Sequence, residues 1–160
     1  MSAIQDLYPD DFAHCYGCGR LNTHGLHVRT EWVDCLGLAR FHPREEHVAI
    51  PGFVYGGLLA SLIDCHGIGT AAAASMQAAG HRPGIDPAPR FVTAGLNVRF
   101  LKPTPMGPEL LLRAAAVEIT DRKVIVEVSL LCDDVETVHG RVVAAPIPAN
   151  MVRALAASWA

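Results

Sequence analysis

The sequence predicts an α+β protein in which an antiparallel sheet is folded round one long central helix. Residues 51–80 form the most apolar stretch, and its apolar side chains recur three or four positions apart, which is the spacing of one helix face. The rest of the chain contains runs of β-forming residues that are separated by turn residues. The order is two strands, the helix and then four strands, which is typical of a sheet wrapped round a helix.

The composition is that of a globular protein with a substantial core. The chain has 160 residues, of which 51% are hydrophobic and 18% charged. We treat residues 1–160 as a single domain with an irregular segment at 1–25 and a short tail at 149–160. The net charge is -3 and the basic residues are scattered, which argues against a nucleic-acid-binding protein.

The cysteines and the start of the chain indicate a reduced, cytoplasmic protein. Five cysteines are an odd number, and a chain of this size does not need disulfides for stability, so we expect free thiols. The first residues include acids where a signal peptide needs a basic region followed by an apolar run. We expect no membrane span, because glycines, Asp64 and His66 interrupt the most apolar stretch.

Six runs are predicted strands, since each is rich in β-formers and bounded by turn residues. They are residues 26–33, 36–43, 91–101, 109–119, 124–132 and 135–145. The short connections imply that the strands of the second half are antiparallel neighbours. The Pro- and Gly-rich residues 81–90 are a predicted surface loop. A brief helix is predicted from Asn150 to Trp159.

The N-terminal segment contains Cys15-x2-Cys18 followed by His24 and His27. Pairs of thiolates and imidazoles suit tetrahedral Zn²⁺, so a metal or redox site is one hypothesis. However, the two pairs are close together in sequence, and His27 is expected to belong to the next strand. We therefore predict a tight Gly-rich loop with small buried thiols and no bound metal.

Asp64 is the residue of the predicted helix that most needs an explanation. Every side of this helix is apolar or small, so it should be buried, and Asp64 is its only acidic residue. A buried carboxylate is costly unless it is paired or used. Asp64 is therefore the candidate catalytic residue, and a structural acid bonded to the backbone or to His66 is the alternative. Gly80 is expected to end the helix.

Three motifs resemble those of one family. Tyr55-Gly56-Gly57, with Asp64 seven residues later, is similar to the His-Gly-Gly and acid of hot-dog-fold thioesterases of the PaaI-like and 4-hydroxybenzoyl-CoA thioesterase group. TAGLNVRFLKP at residues 93–103 and CYGCGRLNTHGLHV at residues 15–28 are similar to two further motifs of that group. The resemblance covers the chain from Cys15 to about Pro148 and implies the hot-dog fold. Tyr55 replaces the family's histidine.

A second departure from the family pattern lies before the helix. Many close relatives have an asparagine at the position that aligns with Ala49. That asparagine orients the substrate or a water molecule in the family. The acid and the glycines of the motif are retained.

The resemblance implies an acyl-CoA thioesterase that hydrolyses a thioester to a free acid and coenzyme A. Gly57, with Gly56 beside it, would stabilise the oxyanion through N–H groups at the helix start. Asp64 would activate water as a general base or attack the carbonyl as a nucleophile. Tyr55 would donate to the thioester or pack between subunits. Ser61 would bond the water or the acid, unless its hydroxyl bonds the preceding helix turn.

The expected site needs two chains. Gly57 and Asp64 are about 10.5 Å apart along a helix axis at the usual rise per residue, so one carbonyl carbon cannot touch both. The resemblance implies a homodimer with antiparallel helices, in which Gly57 comes from one chain and Asp64 from the other. Relatives often pair such dimers into tetramers.

Coenzyme A is expected as part of the substrate, with no separate cofactor. Its phosphates need cations, and the candidates are Lys102, Arg122 and Lys123, which lie at predicted strand ends. Asn97 is a candidate for the wall of the tunnel that holds the substrate.

Two other functions are left open by the sequence. A non-catalytic acyl-CoA-binding protein would use the same fold without hydrolysis. A hot-dog hydratase or dehydratase would use a catalytic histidine, for which His42 and His47 are the candidates. That class has an acid a few residues after Pro-Gly, whereas Pro51-Gly52 leads to a glycine here. A serine-triad hydrolase is not suggested, because the sequence has no Gly-x-Ser-x-Gly motif.

Overall fold

The computed structural model describes residues 2–158, and the side chains of residues 2–153. In that range the chain forms one six-stranded sheet, two α-helices and three short 3-10 helices. The strands are β1 (Glu31–Val33), β2 (Leu36–Phe41), β3 (Phe91–Phe100), β4 (Leu110–Ile119), β5 (Val124–Cys132) and β6 (Val135–Pro146). The helices are α1 (Gly56–Ala78) and α2 (Ala149–Ser158). The 3-10 helices are Ile4–Leu7, Asp10–Phe12 and Glu45–His47.

The sheet curves round α1, which confirms the predicted fold. Its order is β1-β2-β4-β5-β6-β3, and every neighbouring pair is antiparallel. Helix α1 packs against strands β2 to β6. The inward-facing side chains of these strands and of α1 form one hydrophobic core, in which Leu62, Ile63, Leu112 and Val126 are fully buried.

Strands β3 and β4 are not neighbours, so the expected pairing of consecutive strands was wrong here. β3 pairs with β6 at the edge of the sheet, while β4 lies between β2 and β5. The connection through residues 101–109 therefore passes the ends of β5 and β6, a distance of about 15 Å at the usual strand spacing. These residues reach roughly 30 Å when extended, so the crossing requires no helix.

Residues 26–30 are not part of a strand, although a strand was predicted over residues 26–33. His27 has a φ of 54°, which lies in the left-handed region and interrupts an extended backbone. The N–H group of Val28 donates to the carbonyl oxygen of Gly17, so this stretch pairs with the N-terminal segment. β1 begins only at Glu31.

Helix α1 begins and ends close to where the sequence predicts. Residues 51–55 form a turn and two isolated β-bridges, and the helix begins at Gly56. Gly80 has a φ of 80°, a conformation that favours glycine, and the N–H group of His81 returns to the carbonyl oxygen of Met76. The 81–90 segment contains no helix or strand, as predicted. At the C-terminus, α2 begins at Ala149, and the predicted end at Trp159 lies outside the described residues.

By length and composition alone, α1 could cross a membrane. The glycines, Asp64 and His66 therefore do not bring its hydropathy below that of a membrane span, as the sequence argument supposed. However, 78% of its most apolar window is buried inside the protein, as in a core helix.

A buried hydrogen-bond network ties the N-terminal segment to α1. Gln5 Nε2 donates to Thr30 Oγ1 over 3.1 Å, and the Thr30 hydroxyl lies 3.0 Å from His66 Nδ1. His66 Nε2 lies 3.2 Å from the carbonyl oxygen of Gly37 on β2. A carbonyl can only accept a hydrogen bond, so Nε2 carries the ring proton and Nδ1 accepts from Thr30. Burial lowers the pKa of His66 to about 4, which keeps the imidazole neutral.

Helix α1 approaches β6 more closely than side chains on both elements would permit. A Cβ added to Gly67 would lie 2.5 Å from a methyl group of Val142, and one added to Gly140 would lie 2.2 Å from Cγ2 of Ile63. Both distances are far below van der Waals contact. Space, rather than an unusual φ, therefore requires glycine at these positions.

We expect Gly140→Ala to destabilise the protein by about 1–3 kcal/mol, which is the usual cost of overpacking a filled core. Gly95→Ala on the paired strand is the matched control, because its added Cβ would meet Val143 at 3.5 Å, an ordinary contact. Urea denaturation of both variants measures the difference. If Gly140→Ala unfolds at the parent midpoint, α1 can move away from the sheet without cost and the packing argument fails.

Candidate functional site

Asp64 lies in the third turn of α1 and is half-buried. Its Oδ1 accepts a hydrogen bond of 2.5 Å from Thr93 Oγ1 at the start of β3. Burial raises the pKa of the Asp64 carboxyl above its usual value, while the Thr93 hydrogen bond acts in the opposite direction. A carboxyl group whose pKa is raised by burial is a typical feature of a functional site.

His66 is not the partner of Asp64. Both ring nitrogens of His66 are engaged, one with Thr30 and the other with the backbone of Gly37. The structural alternative of an Asp64–His66 pair is therefore not observed. The two side chains leave α1 in different directions, and only Asp64 reaches β3.

The part of α1 that is not fully covered runs from the helix start to Asp64. Five residues along it are half-buried, whereas most of the remaining helix is buried. They are Gly56, Gly57, Ala60, Ser61 and Asp64, and we call them the open strip. The structure thus brings four of the five predicted catalytic residues onto one face of the helix.

The fifth, Tyr55, immediately precedes α1 and is 57% exposed. Its ring packs over the helix start, where a Cβ added to Gly57 would lie 2.5 Å from ring atoms. No side chain caps this helix start within the described residues. The first N–H groups of an α-helix have no acceptor within the helix. They are therefore available to an oxygen atom bound at Gly57.

A cleft of about 490 Å³ opens at the helix start. It is lined by Tyr16, Leu26, Arg44, Glu46, His47, Tyr55, Gly57, Leu58 and Ser61. Asp64 is not among the residues that line it. Within one protomer, the cleft at the helix start therefore does not reach the carboxylate of Asp64.

The Ser61 hydroxyl donates to the carbonyl oxygen of Gly57 over 2.8 Å. This is the bond to the preceding turn that a serine inside a helix commonly makes. Ser61 also lines the cleft, so a role toward a bound ligand stays a prediction.

Sequence reasoning missed Thr93 as a site residue. The contact with Asp64 joins positions 29 residues apart, and no local pattern connects a strand residue to a particular helix side chain. It did not name Arg44, and it named His47 only for the hydratase alternative, although both residues line the cleft. His47 Nδ1 accepts a hydrogen bond from the backbone N–H of Arg44, and burial lowers the pKa of this imidazole.

The predicted phosphate-binding cations lie at opposite ends of the sheet. Lys102 follows β3 and is exposed, near the helix start where the Phe100 ring approaches Gly56. Arg122 and Lys123 lie in the β4–β5 turn, and Lys123 forms an ion pair of 3.1 Å with Glu118. Since β3 and β4 run in opposite directions, this turn lies at the end of the sheet where β3 begins. The two groups are too far apart to share one phosphate within a protomer.

Asn97 lies in the middle of β3, where its partner in the sheet is Arg141 of β6. It is exposed and does not line the cleft at the helix start. A role for Asn97 in the wall of a substrate tunnel would require a surface beyond this protomer.

Cys65, which follows Asp64, brings a third thiol to the two N-terminal cysteines. The sulfur atoms of Cys15, Cys18 and Cys65 all lie within 4.8 Å of one another, and we call this group the thiol cluster. Hydrogen bonds from the Cys18 and Cys65 thiols hold the pKa of Cys15 far below its usual value. His24 and His27 are exposed and do not belong to the cluster.

Comparison with known proteins identifies the family. Residues 51–139, more than half of the chain, match the thioesterase superfamily. A thioesterase superfamily protein from Shewanella loihica PV-4, whose structure has been solved, is 43% identical to this chain. The match covers 87% of this chain and 98% of that protein, with a TM-score of 0.65. No curated protein matches the sequence.

Two further solved structures are similar in fold at low sequence identity. The Escherichia coli PaaI protein, from the phenylacetic acid degradation operon, is 14% identical, and the match covers 77% of this chain and 81% of that one with a TM-score of 0.62. The smu.793 protein from Streptococcus mutans UA159, bound to acetyl CoA, is 14% identical to this chain. That match covers 80% of this chain and 96% of the other, with a TM-score of 0.62. The chain belongs to the thioesterase superfamily and has its hot-dog fold.

Proposed function

We propose that the protein is an acyl-CoA thioesterase that hydrolyses a thioester to a free acid and coenzyme A. The observation that carries the proposal is the open strip, where an uncapped helix start at Gly57 and the half-buried carboxylate of Asp64 share one face of α1. Membership of the thioesterase superfamily supports thioester chemistry. Coenzyme A is bound by a Streptococcus pneumoniae structure with this fold, and acetyl CoA by the Streptococcus mutans one.

We also propose that a second copy of the chain completes the site. Gly57 and Asp64 are about 10.5 Å apart along the helix axis, and Asp64 does not line the cleft at Gly57. β3 is an edge strand of the sheet, so the backbone groups on its outer side are free to pair. Leu96 and Phe100 on β3 are 43% and 56% exposed.

Antiparallel pairing of β3 with its copy explains these exposed groups. It would join the two sheets and set the two α1 helices antiparallel beside each other. Gly57 of one protomer would then face Asp64 of the partner subunit. The same pairing brings the Lys102 end of one sheet toward the Arg122–Lys123 end of the other, so all three cations could serve one coenzyme A. Asn97, in the middle of β3, would lie at the seam.

The chemistry follows from this arrangement. The thioester carbonyl oxygen accepts hydrogen bonds from the N–H groups at Gly57, which stabilise the negative charge that develops on it. Asp64 takes a proton from the water that attacks the carbonyl carbon. The tetrahedral intermediate then expels the coenzyme A thiolate, which takes the proton back from Asp64. In the nucleophilic alternative, the carboxylate attacks the carbonyl carbon and expels the coenzyme A thiolate; water then hydrolyses the mixed anhydride, which releases the free acid and restores Asp64.

Thr93 acts as a positioning residue in this scheme. Its hydroxyl holds Oδ1 of Asp64, which leaves Oδ2 to face the water or the carbonyl carbon. The hydratase alternative is less well supported, because His42 is exposed and His47 uses Nδ1 to accept from the Arg44 backbone. A non-catalytic binding protein remains an outcome that the experiments below would reveal.

We expect Asp64→Asn to lower turnover about a hundredfold or more, the scale of positioned acid–base catalysis. The substitution keeps the shape but removes the charge and the basicity, so substrate affinity should change little. Thiol release from a panel of acyl-CoA substrates measures the rate. Asp86→Asn, which changes a half-buried acid in the 81–90 loop, is the control. A stable Asp64→Asn oligomer that hydrolyses its best substrate at the parent rate would refute the assignment, and no thiol release by the parent would favour the binding protein.

For Thr93→Val, we expect kcat to fall about tenfold with little change in KM, because one hydrogen bond to a charged group is lost. Thr93→Ser is the matched control, since it retains the hydroxyl and should recover most of the activity. Steady-state kinetics on the best substrate distinguish the two. Equal kcat values for the valine and serine variants would show that the hydroxyl does not position Asp64.

For the assembly, we expect the parent to be at least a dimer and Leu96→Lys to be a monomer with little activity, since two buried charges would face each other across the seam. Val117→Lys is the control, because Val117 is exposed on β4, away from the edge strand. Light scattering at micromolar concentration reports the mass. A stable, active parent monomer near 17 kDa would exclude the shared site.

A further inference from the structure

We propose that the thiol cluster of Cys15, Cys18 and Cys65 is a zinc site that joins the N-terminal segment to α1. The three sulfur atoms lie within 4.8 Å of one another, and those of Cys15 and Cys65 are 3.9 Å apart. Thiolates bound to one Zn²⁺ at about 2.3 Å, with tetrahedral angles, lie about 3.8 Å from each other. A disulfide would need the sulfurs at about 2.05 Å. The Cys15–Cys65 pair therefore has the spacing of two metal ligands, and the Cys18 sulfur lies within 4.8 Å of both.

The loop that carries the first two cysteines is shaped to bring both sulfurs to the helix. Gly17 passes so close to α1 that an added Cβ would lie 2.2 Å from the sulfur of Cys65. The N–H group of Gly19 donates to the carbonyl oxygen of Cys15 over 2.7 Å and closes a tight turn. Cys-x2-Cys in such a turn is a common zinc-binding spacing.

A half-buried arginine, Arg90, lies beside the cluster. Arg90 Nη1 is buried and has no hydrogen-bond partner among the described residues. Its guanidinium lies 4.8 Å from the centroid of the Tyr8 ring and interacts electrostatically with Cys15 and Cys18. Three thiolates and one Zn²⁺ carry a net charge of about -1, which would balance the charge of Arg90.

This proposal reverses the sequence-based expectation of no bound metal. That expectation considered only His24 and His27 as companions of the two N-terminal cysteines, and both are exposed. The third ligand comes instead from α1, 50 residues after Cys15. Three protein ligands leave one tetrahedral position to water or a small ligand, and the half-buried Cys15 lies on the solvent side.

The inferred role is to cross-link the fold, although one position stays open, unlike the closed sites usual for structural zinc; it does not depend on the proposed hydrolysis. Zn²⁺ would cross-link the loop at residues 15–18 to the helix residue that follows Asp64. Because such binding energy also stabilises the fold, removal of the ion should loosen the N-terminal segment. The tie would complement the hydrogen bonds from Thr30 and Gln5 that hold the same segment.

The first test is the metal content of protein purified without chelator or histidine tag. We expect about one zinc per chain in the parent, a loss of at least tenfold in Cys65→Ser, and parent content in Cys35→Ser and Cys132→Ser. The two control cysteines lie outside the cluster, one exposed and one buried. If Cys65→Ser does not fold, Cys15→Ser at the half-buried position serves with the same criteria.

The second test replaces the ion with Co²⁺ after dialysis against a chelator. The parent and both controls should show intense thiolate-to-cobalt charge-transfer absorption, which Cys65→Ser should lack. The chelated parent should also melt at a lower temperature than the zinc-loaded protein, whereas Cys65→Ser should be insensitive to chelator. Absence of zinc and of the cobalt band in the parent would overturn the proposal. So would full zinc content in Cys65→Ser, or a disulfide between cluster cysteines in freshly purified protein.

Discussion

The close approach of α1 to its surroundings is the constraint on which the rest of the structure depends. Gly67 on the helix and Gly140 on β6 let the two backbones come so near that a Cβ on either would overlap a facing side chain. Gly37 does the same beneath Thr70, where an added Cβ would lie 2.1 Å from Oγ1. A helix held this deeply is covered by the sheet on one side and by the N-terminal segment on another. The open strip is the part of its surface that this packing leaves.

Three consecutive helix residues show how one segment serves three purposes. Asp64 is directed toward β3 and accepts a hydrogen bond from Thr93. Cys65 is directed toward the N-terminal segment, where it meets Cys15. His66 is fully buried, neutral and satisfied on both nitrogens. The helical rotation of 100° per residue separates these directions. Because of this rotation, Asp64 reaches the partly open face of the helix, whereas Cys65 and His66 contact the N-terminal segment and the core.

The edge strand β3 connects the proposed chemistry to the proposed assembly. It provides Thr93 to Asp64, and its opposite end places the Phe100 ring against Gly56 at the helix start. The strand thus spans both ends of the open strip. Its outer edge pairs with nothing in the described chain, and its exposed apolar side chains favour burial against another surface. The same strand would therefore both position the Asp64 carboxylate and form the contact between subunits.

The sequence by itself determined the fold class, the helix and most strand bounds, because these depend on local periodicity and turn residues. It also singled out Asp64, since one acid in a long apolar helix is visible without any structure. Only the tertiary structure decided that β3 pairs with β6, that Thr93 holds Asp64 and that Cys65 joins Cys15 and Cys18. These contacts join positions far apart in the chain. Their geometry is set by how the helix packs in the sheet, and local propensity carries no information about that packing.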